Sequence, residues 1–508
     1  MRALVLTVGS RGDVQPFIAL TTRLQAAGHD AVLAAPGLFG DLAAAHHVPF
    51  VPLDLDMNQV AAMVAGQHGL RHLVRFCQSM GRRAAGVLPG VMAAADRGAD
   101  LVVHHPVLPI GQHLAELLGV PAVVAQPIPV LVPTGEFPST AWPYRLPRIL
   151  NRPSYRAVRH LTGVWCRKDI DRWRRDVLAL PPRRGQHDPL RSSDGTPVTV
   201  LHGFSPHVLP RPADWPSTAH ATGYWTLPAA PGWSPSRKLE EFLDYGDPVV
   251  YLGFGSMPSP DPERLAAAMV TAVRQAGARA VVASLSPELR RLLPASRFLV
   301  IRSAPHDWLF PRVQAIVHHG GSGTTAAAVL AGRPQVIWPF GGDQHFWSRR
   351  MATLGVAPPA LPVRSLTAQT LTTALNHALG DRSLAVQAAR LGARVRAEDG
   401  TGEAVSYLEK AAADTLDHPE AAKAIRSTIS ASSALLVPIV TRTKPSPGAP
   451  KLSPRFSATR PRSRKTSAGS GPSPSRVQST QARKLASGGT YPASGSRSSS
   501  SLPNSART

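Results

Sequence analysis

Short apolar runs recur along the chain, each followed by a turn rich in glycine, proline or polar residues and then by a stretch with helical spacing. The runs are too short for helices and their apolar residues do not alternate, as expected of strands buried on both faces of a parallel sheet. Residues 2–8, 31–34, 50–53, 101–103, 122–125 and 198–201 make a first set of predicted strands. Residues 249–252, 280–285, 298–301, 315–317 and 335–338 make a second. Between the two sets, a stretch dense in proline and tryptophan interrupts the pattern. The expected fold is therefore α/β, with two Rossmann-like parallel-sheet domains. The first covers residues 1–210, the linker 211–247 and the second domain 248–410. Residues 371–379 and 385–396 read as helices, and a closing helix over 398–410 is expected to pack back on the first domain.

Composition changes this picture at one end only. The chain has 508 residues and a formal charge of +24, which resembles a nucleic-acid signal. Residues 421–508, however, hold 15 Lys or Arg and no Asp or Glu. The excess thus sits largely in a Ser, Arg and Pro tail with too few apolar residues for a core, so 411–508 is expected to be disordered, with no specific nucleic-acid partner. Two cysteines, Cys77 and Cys166, give no disulfide framework and fit a reducing cytoplasm. The first residues carry too short an apolar stretch for a signal peptide, and no run is long enough to span a membrane.

The chemistry gathers in residues 316–355. A buried strand runs into His318, His319, Gly320, Gly321, Ser322, Gly323, Thr324 and Thr325, and an alanine-rich helix closed by Gly332 follows. Glycines let backbone approach a ligand, and free N–H groups at a helix start favour negative charge, so this is an anion site. The next strand delivers Asp343 and Gln344, a carboxylate beside a carboxamide that suits several sugar hydroxyls. Phosphate at one end and polyol at the other describe a nucleotide sugar. The order HHGGSGTT, then GRPQVIWPFGGDQ, resembles the donor signature of GT-B glycosyltransferases of the UDP-glycosyltransferase family. It is nearer to the sterol 3-beta-glucosyltransferases and bacterial antibiotic glycosyltransferases than to the plant secondary-product enzymes. The likeness extends over about residues 1–410.

The resemblance implies an inverting transfer of a hexose, glucose foremost, from a UDP-sugar co-substrate to a hydroxyl of a lipophilic acceptor. No further cofactor and no metal are expected. It assigns Gly255, Ser256, His306, His319, Gly321, Ser322, Gly323, Thr324, Asp343 and Gln344 to the donor. A plant-type tryptophan for stacking on the base is replaced by Ser303. The turn GSRGDVQP resembles the acceptor-facing N-terminal loop of the family, and Asp13 falls at the catalytic base position. Asp13 also sits where a helix cap belongs, so a structural role alone could explain it, but Arg11, Gly12 and Pro16 match the family loop as well. Arg11, His104, His105 and Trp142 are candidate acceptor contacts, although no acidic partner is evident beside the two histidines. Residues 145–184 hold 12 Lys or Arg against three Asp, which suits either a solvated face or a peripheral contact with the inner membrane surface.

Two DxD triplets, Asp54-Leu55-Asp56 and Asp169-Ile170-Asp171, lie far from the donor signature and are set aside as metal sites. An NAD-dependent oxidoreductase would use similar glycine turns, but the first turn lacks the full GxGxxG. A nucleotide-sugar epimerase, which would need no acceptor, and a noncatalytic binding protein are also compatible with the glycine turns.

Overall fold

The computed structural model describes residues 1–55, 86–108, 110–142, 145–181, 183, 188–244, 246–254, 261–362 and 366–416. Seven strands form the first sheet: β1 (Arg2–Leu6), β2 (Asp30–Pro36), β3 (Phe50–Leu53), β4 (Leu101–His104), β5 (Ala122–Gln126), β6 (Thr199–His202) and β7 (Ala219–Ala221). Their order is β3-β2-β1-β4-β5-β6-β7, parallel throughout. Five more form the second: β8 (Val249–Gly253), β9 (Arg279–Ala283), β10 (Phe298–Ile301), β11 (Ala315–His318) and β12 (Gln335–Ile337). These run β10-β9-β8-β11-β12, again parallel. The order reverses beside β1 in one sheet and beside β8 in the other, the points where open α/β sheets present ligand crevices.

Every predicted strand exists. One boundary needs correcting. Residues 211–247 are not linker throughout, because Ala219–Ala221 pairs with β6 in the register Val200↔Ala219 and completes the first sheet. A three-residue strand with histidine at its centre carries too little apolar signal to be read from sequence. The helix Gly400–Leu416 also runs past residue 410, into the start of the stretch expected as tail. Residues 417–508 lie outside the described residues.

Both sheets are covered on both faces, which explains the continuous apolar runs. On one face of the first sheet, Phe17, Leu20 and Leu24 of the helix Arg11–Ala26 pack with Ala404, Val405 and Leu408 of Gly400–Leu416. The last helix therefore folds back onto the first domain, as expected. A further cluster joins the domains directly, with Phe204, Val208 and Trp215 packing among Val329, Trp347 and Met351. Arg23 with Asp399 and Ser205 with Glu398 add polar ties between first-domain positions and the segment before the last helix.

Candidate active site

Thr7 and Val8 follow strand β1, and Gly9 then turns the chain with φ of 130° into the helix Arg11–Ala26. A Cβ at Gly9 would strike the Asp13 carboxylate, so glycine is required both for the backbone and for the space. Asp13 closes a capping box. Its Oδ2 accepts from the Ser10 backbone N–H at 2.7 Å and from the Ser10 hydroxyl at 2.9 Å. Its other oxygen lies 3.9 Å from Nε2 of His105, a buried residue at the C-terminal end of β4. The Val107 N–H donates to His105 Nδ1 at 3.3 Å, which places the ring proton of the neutral imidazole on Nε2, facing Asp13. Burial lowers the His105 pKa, and the Asp13 charge acts in the opposite direction.

The second domain supplies the facing wall. After β11, Gly320 takes φ of 88°, and a Cβ there would come within 2.7 Å of Ile337. The helix Ser322–Ala331 then begins with no side-chain cap at Gly321; the Ser322 amide turns to Asp343, and those of Gly323 and Thr324 are left for a ligand. A Cβ on Gly323 would lie 3.6 Å from Gly12 Cα, so the amide-lined start of this helix meets the start of Arg11–Ala26. Asp343 sits just after β12. Burial pushes its carboxyl up to about 7, the Asp13 charge adds to that rise, and the Ser322 amide opposes it. Gln344 packs against Gly320, and its Oε1 accepts from the Phe340 and Gly341 amides at 2.7 and 3.2 Å. Its NH2 group is thus the end left to donate.

His319 is pushed down to about 4 by burial, opposed by a hydrogen bond to the Gly253 backbone, and its Nδ1 is buried without a partner. It is a neutral hydrogen-bonding group at pH 7. His306 stacks on Phe310 at 4.1 Å and is likewise held at about 4, by burial first and then by the charges of Arg11 and His319.

The structure thus brings together Arg11, Asp13, His105, His306, His319, Ser322, Gly323, Asp343 and Gln344. Gly321 and Thr324 flank the same helix start. The structure bears on three of these expectations. Arg11, expected against the acceptor, lies close enough to Tyr251 and His306 of the second domain for its charge to reach both. His104 is fully buried beneath Gly111, so it offers no surface to an acceptor. Of the two histidines, His105 does have an acidic neighbour, since topology sets β4 beside β1. Trp142 is half-buried in a turn closed by its N–H on the Ser139 carbonyl. Gly255, Ser256 and Asp56 lie outside the described residues. Missed from sequence was Phe346, which meets Phe137 of the first domain at 5.2 Å. Among the described residues no group of three or more His, Cys, Asp or Glu could hold a metal ion.

Residues 3–133 match the glycosyltransferase family 28 N-terminal domain, and residues 268–410 match the erythromycin biosynthesis protein CIII-like C-terminal domain. The O-mycaminosyltylonolide 6-deoxyallosyltransferase of Streptomyces fradiae is 36% identical over 430 residues, covering 81% of this chain and 97% of the relative. The chain belongs to the GT-B UDP-glycosyltransferases. A sterol 3-beta-glucosyltransferase of Arabidopsis thaliana is 33% identical over 423 residues, covering 81% of this chain and 65% of that one. Its counterpart in Emericella nidulans is also 33% identical, with 80% of this chain matching 30% of that protein. Against these sterol enzymes the glycosyltransferase thus spans less than two thirds of the relative. Among solved structures, glycosyltransferase VinC in complex with DTDP superposes with a TM-score of 0.60 at 21% identity, covering 82% of this chain and all of that one. SsfS6 of Streptomyces sp. SF2575, complexed with thymidine diphosphate, gives 0.55 at 21%, covering 81% and 99%. These show that the glycosyltransferase has the two-domain fold read from its sequence. Oxidoreductase, epimerase and noncatalytic roles find no support in the matches.

Proposed function

We propose that this glycosyltransferase moves a hexose from a UDP-sugar to a hydroxyl of a lipophilic acceptor with inversion at the anomeric carbon. The observation that carries the reading is the approach of Asp13 and Asp343, one from each domain, beside the amide-lined start of Ser322–Ala331. Asp343 and the NH2 of Gln344 orient the sugar. The amides of Gly323 and Thr324, with the Ser322 hydroxyl and His319 as neutral partners, hold the diphosphate, and Arg11 supplies the positive charge that a neutral imidazole does not. Gly255 and Ser256 would complete the cradle on the basis of the family motif.

In the reaction the acceptor oxygen attacks the anomeric carbon while the bond from that carbon to the diphosphate oxygen breaks. Asp13 takes the acceptor proton, and the departing nucleoside diphosphate keeps the electron pair. The helix dipole, the amides and Arg11 stabilise that leaving charge, so this chemistry needs no metal Lewis acid. Relatives named for O-mycaminosyltylonolide and for sterols support a greasy acceptor. So do Leu38 and Val107, large apolar residues that stay exposed just beyond the C-terminal ends of β2 and β4. A mass-spectrometric screen of UDP- and dTDP-hexoses against a panel of lipophilic alcohols tests the reading. Glycoside formation that survives EDTA is expected; hydride transfer or epimerisation without an acceptor would overturn it.

A further inference from the structure

We propose that the start of the helix Asn151–Asp176 is a docking surface for an anionic lipid bilayer. The inference rests on the lipophilic-acceptor reading and names where such an acceptor is met. Ile149 is 83% exposed and Leu150 44%, side by side immediately before the helix. Single exposed apolar residues are ordinary, but an adjacent pair ringed by arginine is a different surface. Residues 137–168 contain seven Lys or Arg and no Asp or Glu. Arg152 is bound by Asp214 at 2.7 Å and Arg159 by Asp188 at 2.9 Å. Arg145, Arg148 and Arg156 are exposed and have no acidic partner among the described residues.

The surface is rigid and well placed. Asn151 Nδ2 donates to the Gly135 carbonyl at 2.9 Å, the Ser139 N–H donates to Ser154 Oγ at 2.9 Å, and Asp214 ties Arg152 to Thr134 and Gly135. These bonds fasten the patch to the loop whose Phe137 packs on Phe346 of the second domain, two residues after Gln344. Charge selects the occupant. The chain's own tail, with 15 basic and no acidic residues over 421–508, would be repelled, whereas anionic headgroups would be drawn in. The two apolar side chains then enter the headgroup boundary, a contribution that a nucleic acid could not reward.

The test is co-sedimentation of the full chain with vesicles containing about a third anionic phospholipid, against neutral vesicles, at low salt. Binding to anionic vesicles is expected. It should fall about tenfold in the Ile149→Ser/Leu150→Ser variant and by at least that in Arg148→Glu/Arg156→Glu. Turnover of a short, water-soluble alcohol by both variants should stay within about twofold of the parent, which separates this proposal from the glycosyl-transfer reading itself. No vesicle binding by the parent would overturn the proposal. So would undiminished binding by the Ile149/Leu150 variant, or loss of soluble-acceptor turnover in step with binding. Equal affinity of parent and Ile149/Leu150 variant for a duplex oligonucleotide, with no preference for lipid, would also overturn it.

Discussion

Asp13 has two demands on it at once. It caps its helix through Ser10 and turns its other oxygen towards His105, so in the proposed mechanism capping and catalysis share one carboxylate. Asp13→Asn retains a capping oxygen, so folding and donor binding should persist while kcat falls at least ~100-fold, measured by steady-state kinetics and donor titration. In the proposed mechanism His105, 3.9 Å from Asp13, acts through it as a positioning residue. Replacing it with Gln, which can still donate, should cost less than replacement with Phe, which cannot; Phe is expected to lower kcat by about tenfold with donor KM unchanged. Asp343 makes a pH prediction. Its native pKa of about 7 lies above the 3.8 of an ordinary aspartate, so between those values the native state holds a proton that the unfolded chain releases. Stability from this group is therefore greatest below about pH 4 and declines as pH rises towards 7. Over the same range the carboxylate gains acceptor capacity for sugar hydroxyls, so donor KM should fall as pH rises through about 7. Asp343→Asn should flatten both profiles. Asp13→Asn should move the midpoint down, because it removes a charge that raises Asp343.

At the level of elements, the site is made by strand ends. Parallel strands place Thr7, His105, Gly320 and Asp343 just beyond their C-terminal ends, and each following turn re-aims the chain into a helix. Gly9 shows how strict this is. A side chain at φ of 130° is strained and would displace Asp13. Gly9→Ala should leave a folded protein that has lost most of its turnover, visible as intact circular dichroism with kcat reduced tenfold or more. The closing helix is fixed by burial. Leu408 is fully buried against the first domain, so Leu408→Ala should destabilise by about 2–5 kcal/mol in chemical denaturation.

Across the whole molecule, the domain relation rests on the cluster around Phe204 and Trp347 and on the returning helix, all within residues 1–416. Truncation after Leu416 is therefore expected to keep turnover within about twofold in a coupled assay. No helix among the described residues is long and apolar enough to cross a membrane.

The chain's own order of residues was enough to give two parallel sheets, the returning helix and the donor signature. Apolar runs, glycine turns and HHGGSGTT are local, and their physics needs no distant partner. What the sequence could not give was the pairing of groups far apart in number. His105 reaches Asp13 because β4 lies beside β1, and Arg11 crosses to Tyr251 because two helix starts converge. The exposure of Ile149 and the burial of His104 were equally invisible, since a side chain's surroundings are set by what other segments pack on it. The raised pKa of Asp343 is the plainest case. An aspartate in a turn is ordinary, and only its burial in the folded chain, with the charge of Asp13 added, makes it cling to its proton near neutrality.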